Sequence, residues 1–131
     1  MSIKDNFSLA LIEQIALPAK DIERAQAFYQ SKLGMKFLFR AGDLVFFDCD
    51  GVRLVLSLPE DEQSANHASI IYFKVQDIHQ AHQTLTQRGV AFVDAPHLVA
   101  NMGNYDIWMA FFRDSEQNTL AITSDIPHKR K

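Results

Sequence analysis

Hydrophobic positions along this chain change their period twice, in the same order each time. A short apolar run beginning at Ile15, and another beginning at Ile71, each precede a segment whose apolar residues recur at helical spacing. After each of these segments the period falls to about two residues, which is typical of half-buried strands. The pattern therefore predicts two repeats, each with a strand, a helix and three further strands.

The ends of the two predicted helices also match. Asp21-Ile22 opens the first and Asp77-Ile78 opens the second. An aspartate at the N-cap accepts a backbone N–H and complements the helix dipole. Gly34 and Gly89 follow the helices, at a position where a left-handed backbone is often required.

Turn signals separate the strands that follow each helix. The predicted strands are 35–40, 44–48 and 52–58 in the first repeat, and 90–93, 105–113 and 119–124 in the second. Asp50-Gly51 is a strong hairpin signal. The segment 94–104, which contains Pro96 and Gly103, is predicted to be a long loop and a candidate lid.

These elements indicate a single α+β domain built from two tandem βαβββ repeats. We place repeat 1 at about residues 9–58, a polar linker at 59–66, repeat 2 at about 67–124 and a basic tail at 125–131. A length of 131 residues suits one domain. The helix of each repeat covers one face of its sheet, so the other face needs a second sheet, a partner chain or a ligand.

Composition narrows the function classes. The chain is 47% hydrophobic and 22% charged with a net charge of −3, which is typical of a soluble globular protein without a nucleic-acid surface. It lacks a signal-peptide pattern and any apolar run near the roughly 18 residues that cross a bilayer, so we expect a cytoplasmic protein without a membrane partner. The single cysteine, Cys49, excludes an internal disulfide, and two flanking aspartates argue against a catalytic thiolate.

Two motifs in this sequence resemble the glyoxalase/bleomycin resistance/dioxygenase superfamily, also known as the vicinal oxygen chelate superfamily. They are Asp21-Ile-Glu-Arg-Ala-Gln-Ala-Phe28-Tyr29 with Leu33-Gly34, and Phe111-Phe112-Arg113-Asp114 with Asn118. The resemblance covers nearly the whole chain and implies two curved sheets that form a cup around a ligand. Ser115-Glu116-Gln117 replaces the family's usual Pro-Asp-Gly, a change that we expect to affect only a turn.

The resemblance also implies four positions for metal ligands, on the first and last strand of each repeat. Enzymes of the family place His, Glu or Gln there, and their divalent metal acts as Lewis acid and template. The matching residues here are Gln14, Val55, Ile70 and Ala121. One amide and three aliphatic side chains do not supply the donors that such a metal needs. We therefore expect no metal, no cofactor and no catalytic residue.

Without a metal, the resemblance implies a cup that holds an apolar or aromatic small molecule, as in the antibiotic-sequestering, bleomycin-resistance branch. Arg53 would hold an anionic group, Gln14 and Tyr72 would form hydrogen bonds, and His97 would overhang the mouth. The expected ligand-binding residues are Gln14, Arg53, Val55, Ile70, Tyr72, His97, Met109, Phe111 and Ala121.

Alternation leaves two possible faces for the strand at 105–113. Either Ile107, Met109 and Phe111 line the cup, or Trp108, Ala110 and Phe112 do, and similarity to the family favours the first row.

Two other functions stay open. One is a glyoxalase/lyase-, epimerase- or dioxygenase-like enzyme with a non-standard site. The other is a scaffold or interaction protein that uses the fold without a cavity ligand, so that the same residues simply pack as a core between the sheets. The resemblance further implies a homodimer, because family members commonly cover their free sheet faces with a second chain. The sequence leaves open whether the cup is completed within one chain or between two.

Overall fold

The computed structural model of this protein describes residues 7–61 and 69–128. Helix α1 spans Ile22–Ala27 and continues into a wider helical turn at Phe28–Lys32; helix α2 spans Ile78–Gln87. The strands of this described part are β1 (Gln14–Pro18), β2 (Lys36–Ala41), β3 (Leu44–Cys49), β4 (Val52–Ser57), β5 (Ile71–Lys74), β6 (Ala91–Phe92), β7 (His97–Asn101), β8 (Tyr105–Arg113) and β9 (Thr119–Pro127).

Each repeat forms its own sheet. The first sheet has the order β1-β4-β3-β2, with β1 parallel to β4 and the remaining pairs antiparallel. The second has the order β5-β9-β8-β6, and β7 also pairs with β8. The predicted α+β class with two βαβββ-type repeats is confirmed, the second repeat carrying one additional strand.

The predicted helix ends are confirmed in atomic detail. The Asp21 carboxylate accepts the backbone N–H of Arg24 at 3.0 Å. The Asp77 carboxylate accepts two backbone N–H groups at the start of α2, both at 3.1 Å. Gly34 and Gly89 have φ values of +73° and +90°, a conformation that side chains with a Cβ rarely adopt.

The wider turn after α1 places two aromatic residues in the interior. The N–H of Leu33 donates to the carbonyl of Phe28, five residues earlier, at 3.1 Å, which is the hydrogen-bond pattern of a π-helical turn. Phe28 and Tyr29 are both buried. The wider turn therefore contributes two aromatic rings to the core. Helix α2 has no such turn and remains a regular helix over its whole length.

One hydrophobic core joins the helix-facing sides of both sheets. Its largest fully buried apolar side chains are Tyr29, Phe47, Phe112, Leu17, Leu56, Ile78, Leu120 and Val45. The opposite face of each sheet is more open: Phe39 on β2 and Tyr72 on β5 are 47% and 46% exposed. Burial of such rings against further apolar surface is favourable, so these faces are the natural place for a ligand or a partner.

The predicted lid at 94–104 is wrong. This segment contains β7, which pairs antiparallel with β8, Leu98 opposite Trp108 and Asn101 opposite Asp106. Pro96 and Gly103 bracket the strand and suggested a loop, but they lie just outside it. The segment therefore extends the second sheet instead of closing over it.

The predicted start of the basic tail is also wrong. Strand β9 continues to Pro127, and the His128 imidazole lies 2.8 Å from the Asp106 carboxylate. The extension of β9 pairs with β8, with Pro127 opposite Tyr105. This pairing partner is distant in sequence, so the local pattern did not indicate the extension. Residues 129–131 and linker residues 62–66 lie outside the described part of the chain. Among the described residues, no helix combines the length and apolar character needed to cross a bilayer.

Candidate functional site

The first sheet carries two of the expected polar ligand-binding residues, Gln14 and Arg53, on the face turned away from the helices. Gln14 and Arg53 lie opposite each other on β1 and β4, so their side chains share that face. The Arg53 Nε and Nη2 atoms donate to Gln14 Oε1 at 3.2 and 3.1 Å. The amide oxygen at the first family ligand position is therefore bound by a guanidinium, whose charge repels a metal cation.

Apolar residues continue from these across the first sheet, with Val55 buried at 4% exposure and the rings beyond it partly exposed. Val55 lies opposite Ala16 on one side and Phe46 on the other. The Phe46 ring stacks on Phe39 with centroids 4.4 Å apart. Sequence reasoning missed this ring pair because a register shift next to Phe37 interrupts the alternation of β2.

The second sheet presents a matching row of apolar residues. Tyr72, Ala121 and Phe111 lie side by side across β5, β9 and β8. The rings of Tyr72 and Phe111 meet edge to face with centroids 5.8 Å apart. This row brings together three of the residues that the sequence assigned to the ligand.

The next row of the second sheet is more polar. It contains Lys74, Thr123, Met109 and His97, in the order β5, β9, β8 and β7. Strand alternation places Thr123 on the cup side with Ala121, as expected, whereas Lys74 was not singled out although it alternates with Tyr72 in the same way.

The structure also resolves which row of β8 faces away from the core. Ala110 and Phe112 are buried in the core at 0% and 1% exposure, and Trp108 packs against it. Met109 and Phe111 therefore point to the opposite face, with Ile107 in the same row.

His97 lies at the edge of this face, on β7, because the segment that contains it is a strand. Its Nδ1 atom is 3.0 Å from the carbonyl oxygen of Ala95 and 3.6 Å from the Asp94 carboxylate. The imidazole is about half exposed. It borders the apolar row beside Met109, where it can contact a bound molecule without closing over it.

The four family ligand positions lie in two separate pairs. Gln14 and Val55 share the first sheet, whereas Ala121 lies on the second and the half-exposed Ile70 directly precedes β5. Within the described residues, no hydrogen bond or ring contact joins the two pairs, and no group of three or more His, Cys, Asp or Glu side chains could hold a metal. Since three of the four side chains have no donor atom, they do not fit a divalent metal.

The turn between β8 and β9 joins the two repeats, and its importance was not expected from the sequence. Glu116 accepts the backbone N–H of Asp21 at 2.9 Å and the Arg24 guanidinium at 2.7 and 3.0 Å. The expectation that Ser115-Glu116-Gln117 affects only a turn was therefore wrong. Glu116 reaches the start of α1 in the other repeat, a contact that no local pattern reveals.

We call the contact between the β8–β9 turn and the first helix the joint. Its electrostatics fix the protonation states of Tyr29 and Glu116. Burial, together with the Asp114 carboxylate that accepts the Tyr29 hydroxyl at 2.6 Å, raises the pKa of Tyr29 far above its ordinary value. Burial alone would raise the pKa of Glu116, but hydrogen bonds from Arg24, the Asp21 N–H and Ser115 lower it overall. The joint therefore holds a neutral phenol and an ionised carboxylate.

We expect the stabilising effect of Glu116 to depend on pH. Because its folded-state pKa lies below the ordinary value of 4.5, the stabilisation is complete above that pH and is lost as pH falls through the folded-state pKa. Glu116→Gln should melt at a lower temperature than the wild type at neutral pH, and the difference should shrink in acid.

Thermal denaturation from about pH 7 down to about pH 3 measures this difference. Glu23→Gln is the matched control, because Glu23 pairs with Arg40 while its side chain stays 79% exposed. A melting difference for Glu116→Gln that stays constant over the whole range would contradict the pKa assignment.

Comparison with known proteins extends these observations. A family model described as the Glyoxalase/Bleomycin resistance protein/Dioxygenase superfamily matches residues 11–122. None of the curated proteins matches the sequence significantly.

Solved structures share the fold. A glyoxalase/bleomycin resistance protein/dioxygenase from Alicyclobacillus acidocaldarius is 24% identical with a TM-score of 0.69, over 88% of this chain and 91% of that one. A superfamily member from Sphaerobacter thermophilus is 24% identical with a TM-score of 0.73, over 88% and 98%. A lactoylglutathione lyase from Agrobacterium tumefaciens is 21% identical with a TM-score of 0.70, over 89% and 95%. At these identities the likeness establishes a common fold.

Proposed function

Because the chain belongs to the glyoxalase/bleomycin resistance protein/dioxygenase superfamily, we propose that it is a metal-independent binding protein for an apolar or aromatic small molecule. The ligand would lie on the sheet faces turned away from the helices, in the manner of bleomycin-resistance-like sequestration. Capture alone lowers the free concentration of such a molecule, so the function requires no catalytic residue.

The observation that carries this proposal is the row of Tyr72, Ala121 and Phe111. Tyr72 remains 46% exposed although its ring packs against Phe111. An apolar ligand placed here would remove ring surface from water, which contributes about 25 cal/mol per Å². Met109 and His97 continue the surface and would determine which ligands fit.

Arg53 supports a preference for ligands with an anionic group. The guanidinium lies on the ligand face of the first sheet and is oriented by its two hydrogen bonds to Gln14. A fixed guanidinium presents donors in the planar geometry that suits carboxylate, sulfonate or phosphate. Arg53 would hold the anionic group while the apolar body rests against the Phe39 and Phe46 rings.

Titration with two dyes tests this function. Nile red is neutral and apolar, and 8-anilinonaphthalene-1-sulfonate adds a sulfonate. Both should bind saturably with enhanced fluorescence, and Arg53→Gln should weaken the sulfonate dye more than Nile red. Absence of saturable binding of both dyes would refute the proposal.

We predict that the purified protein retains no divalent metal. The prediction follows from Val55, Ile70 and Ala121, whose side chains offer no donor atom. Elemental analysis after dialysis against Mg²⁺, Mn²⁺, Fe²⁺, Ni²⁺ and Zn²⁺ should find far less than one equivalent. Near-stoichiometric metal that disappears in Gln14→Ala would contradict the prediction and would favour the enzymatic alternative.

We also predict a homodimer. Both sheets bury their helix-facing sides in one core, which leaves Phe39, Tyr72 and Ile70 substantially exposed. A second copy related by a two-fold axis would cover these faces and complete the cup between two chains. Sedimentation at micromolar concentration should give twice the chain mass of 14.9 kDa. A monomeric species alone would contradict this expectation.

A further inference from the structure

A cavity lies between the two repeats, on the helix-facing side of the second sheet. It has a volume of about 880 Å³ and is bounded by α2, by the β3–β4 turn and by the segment that follows the first helix. Phe112 and Ile122 lie at its apolar floor, and Leu85 and Ala81 line its helical wall. The volume is in the range of small-molecule sites.

The internal repeat shows what this cavity lacks. Eight residues after its capping aspartate, α1 has Tyr29 and α2 has Leu85. Tyr29 fills the joint between α1 and the β8–β9 turn, with its ring 5.9 Å from that of Phe47 and its hydroxyl bonded to Asp114. At the equivalent joint, between α2 and the β3–β4 turn, the smaller Leu85 side chain leaves an open cavity that is also lined by the partly exposed Phe73, while Phe112 lies buried beneath it.

Comparison of the two repeats also shows that the second lacks a positive charge that the first has. Three residues after its capping aspartate, α1 has Arg24, which pairs with Glu116 of the opposite turn at 2.7 Å. The same position of α2 is Gln80, which has no charge. The facing β3–β4 turn contains Asp50, whose carboxylate has no hydrogen-bond or ion-pair partner within the described residues.

The charged side chains that line the cavity are mostly acidic. Asp48, Asp50 and Asp77 line it, against one ammonium group from Lys36. Lys36 lies opposite Asp48 on the neighbouring strand, yet within the described chain the two form no ion pair. The Arg88 guanidinium lies beside Gly34 and donates to the Lys32 carbonyl, so the attraction for an ammonium group is strongest at the β3–β4 turn, which carries Asp48 and Asp50.

We propose that this cavity is a second binding site, for a small aromatic cation. The ring lies in the apolar part of the cavity beside Leu85 and Phe73, in the place that Tyr29 occupies in the other joint, and the ammonium group faces Asp50, as Arg24 faces Glu116. The ligand supplies the two groups that the second repeat lacks. This site is separate from the proposed face for apolar and anionic ligands.

Titration with phenethylamine, followed by NMR, tests the proposal. The backbone amides of Leu85 and Cys49 should shift saturably, and phenethyl alcohol, which has no charge, should bind about tenfold or more weakly. Asp50→Asn should weaken the amine by a similar factor; asparagine tolerates the positive φ of +52° at this position, so the fold should persist. Leu85→Tyr should abolish binding by filling the space.

Two control variants separate this site from other sources of binding. Asp43→Asn changes an exposed carboxylate in the β2–β3 turn and should leave binding unchanged. Met109→Lys alters the other proposed site and should also leave phenethylamine binding unchanged. No saturable shift, equal binding of the alcohol and the amine, or full binding by Asp50→Asn would each overturn the proposal.

Discussion

Asp114→Ala is expected to lower the free energy of unfolding by about 3–5 kcal/mol. Asp114 is 3% exposed and accepts hydrogen bonds from the Tyr29 hydroxyl, from the Asn118 side-chain amide and from the backbone N–H groups of Glu116 and Asn118. Alanine removes the acceptor for all four donors. A buried donor without a partner costs about 1–3 kcal/mol, and partial relaxation keeps the total below the simple sum.

Chemical denaturation followed by circular dichroism measures this loss. Asp43→Ala, which removes an exposed carboxylate from the β2–β3 turn, should change stability by less than about 0.5 kcal/mol. Tyr29→Phe removes only the hydroxyl, and with it one of the four hydrogen bonds to Asp114. Its loss of stability should lie between those of Asp114→Ala and Asp43→Ala. A loss below about 1 kcal/mol for Asp114→Ala would show that the joint does not hold the repeats together.

The elements of this fold were predictable because their signals are local. Capping aspartates, glycines after helices and the Asp50-Gly51 turn determine the backbone within a few residues, and each was found where expected. Strand β8 was predicted with its observed bounds because nine residues of alternating and aromatic character leave little ambiguity. Strand β7 was missed because its pairing with β8 decides it, whereas its own sequence resembles a loop.

The candidate sites were less predictable, since they depend on contacts between repeats. The row of Tyr72, Ala121 and Phe111 follows from strand alternation once the order of the strands is known. The contact of Glu116 with Arg24 joins positions 92 residues apart, and no spacing within either repeat indicates it. The cavity beside Leu85 was visible in the sequence only as an aromatic residue present in one repeat and absent from the other.

Phe111→Ala should weaken the binding of Nile red by about tenfold or more. A ligand group of roughly 150 Å² held by burial gains about 4 kcal/mol before the costs of association, and the Phe111 ring supplies a large part of the surface. Truncation of a fully packed phenylalanine costs about 3–5 kcal/mol of stability. Since Phe111 is only partly buried, the variant should lose less than this and remain folded at room temperature.

Met109→Lys separates a binding surface from a solid core. On an open face, the lysine ammonium can reach water along its flexible chain, so the protein should stay folded while the apolar ligand loses its surface. In a closed core, an unpaired charge has no such escape and should unfold the protein. Met102→Lys is the matched control, because Met102 is 51% exposed and lies outside the row of Met109 and His97. Melting temperature and Nile red fluorescence, measured together, distinguish the outcomes. Loss of dye binding with a nearly unchanged melting temperature supports the proposed function, whereas severe unfolding of Met109→Lys alone would mean that this face is packed and not available to a ligand.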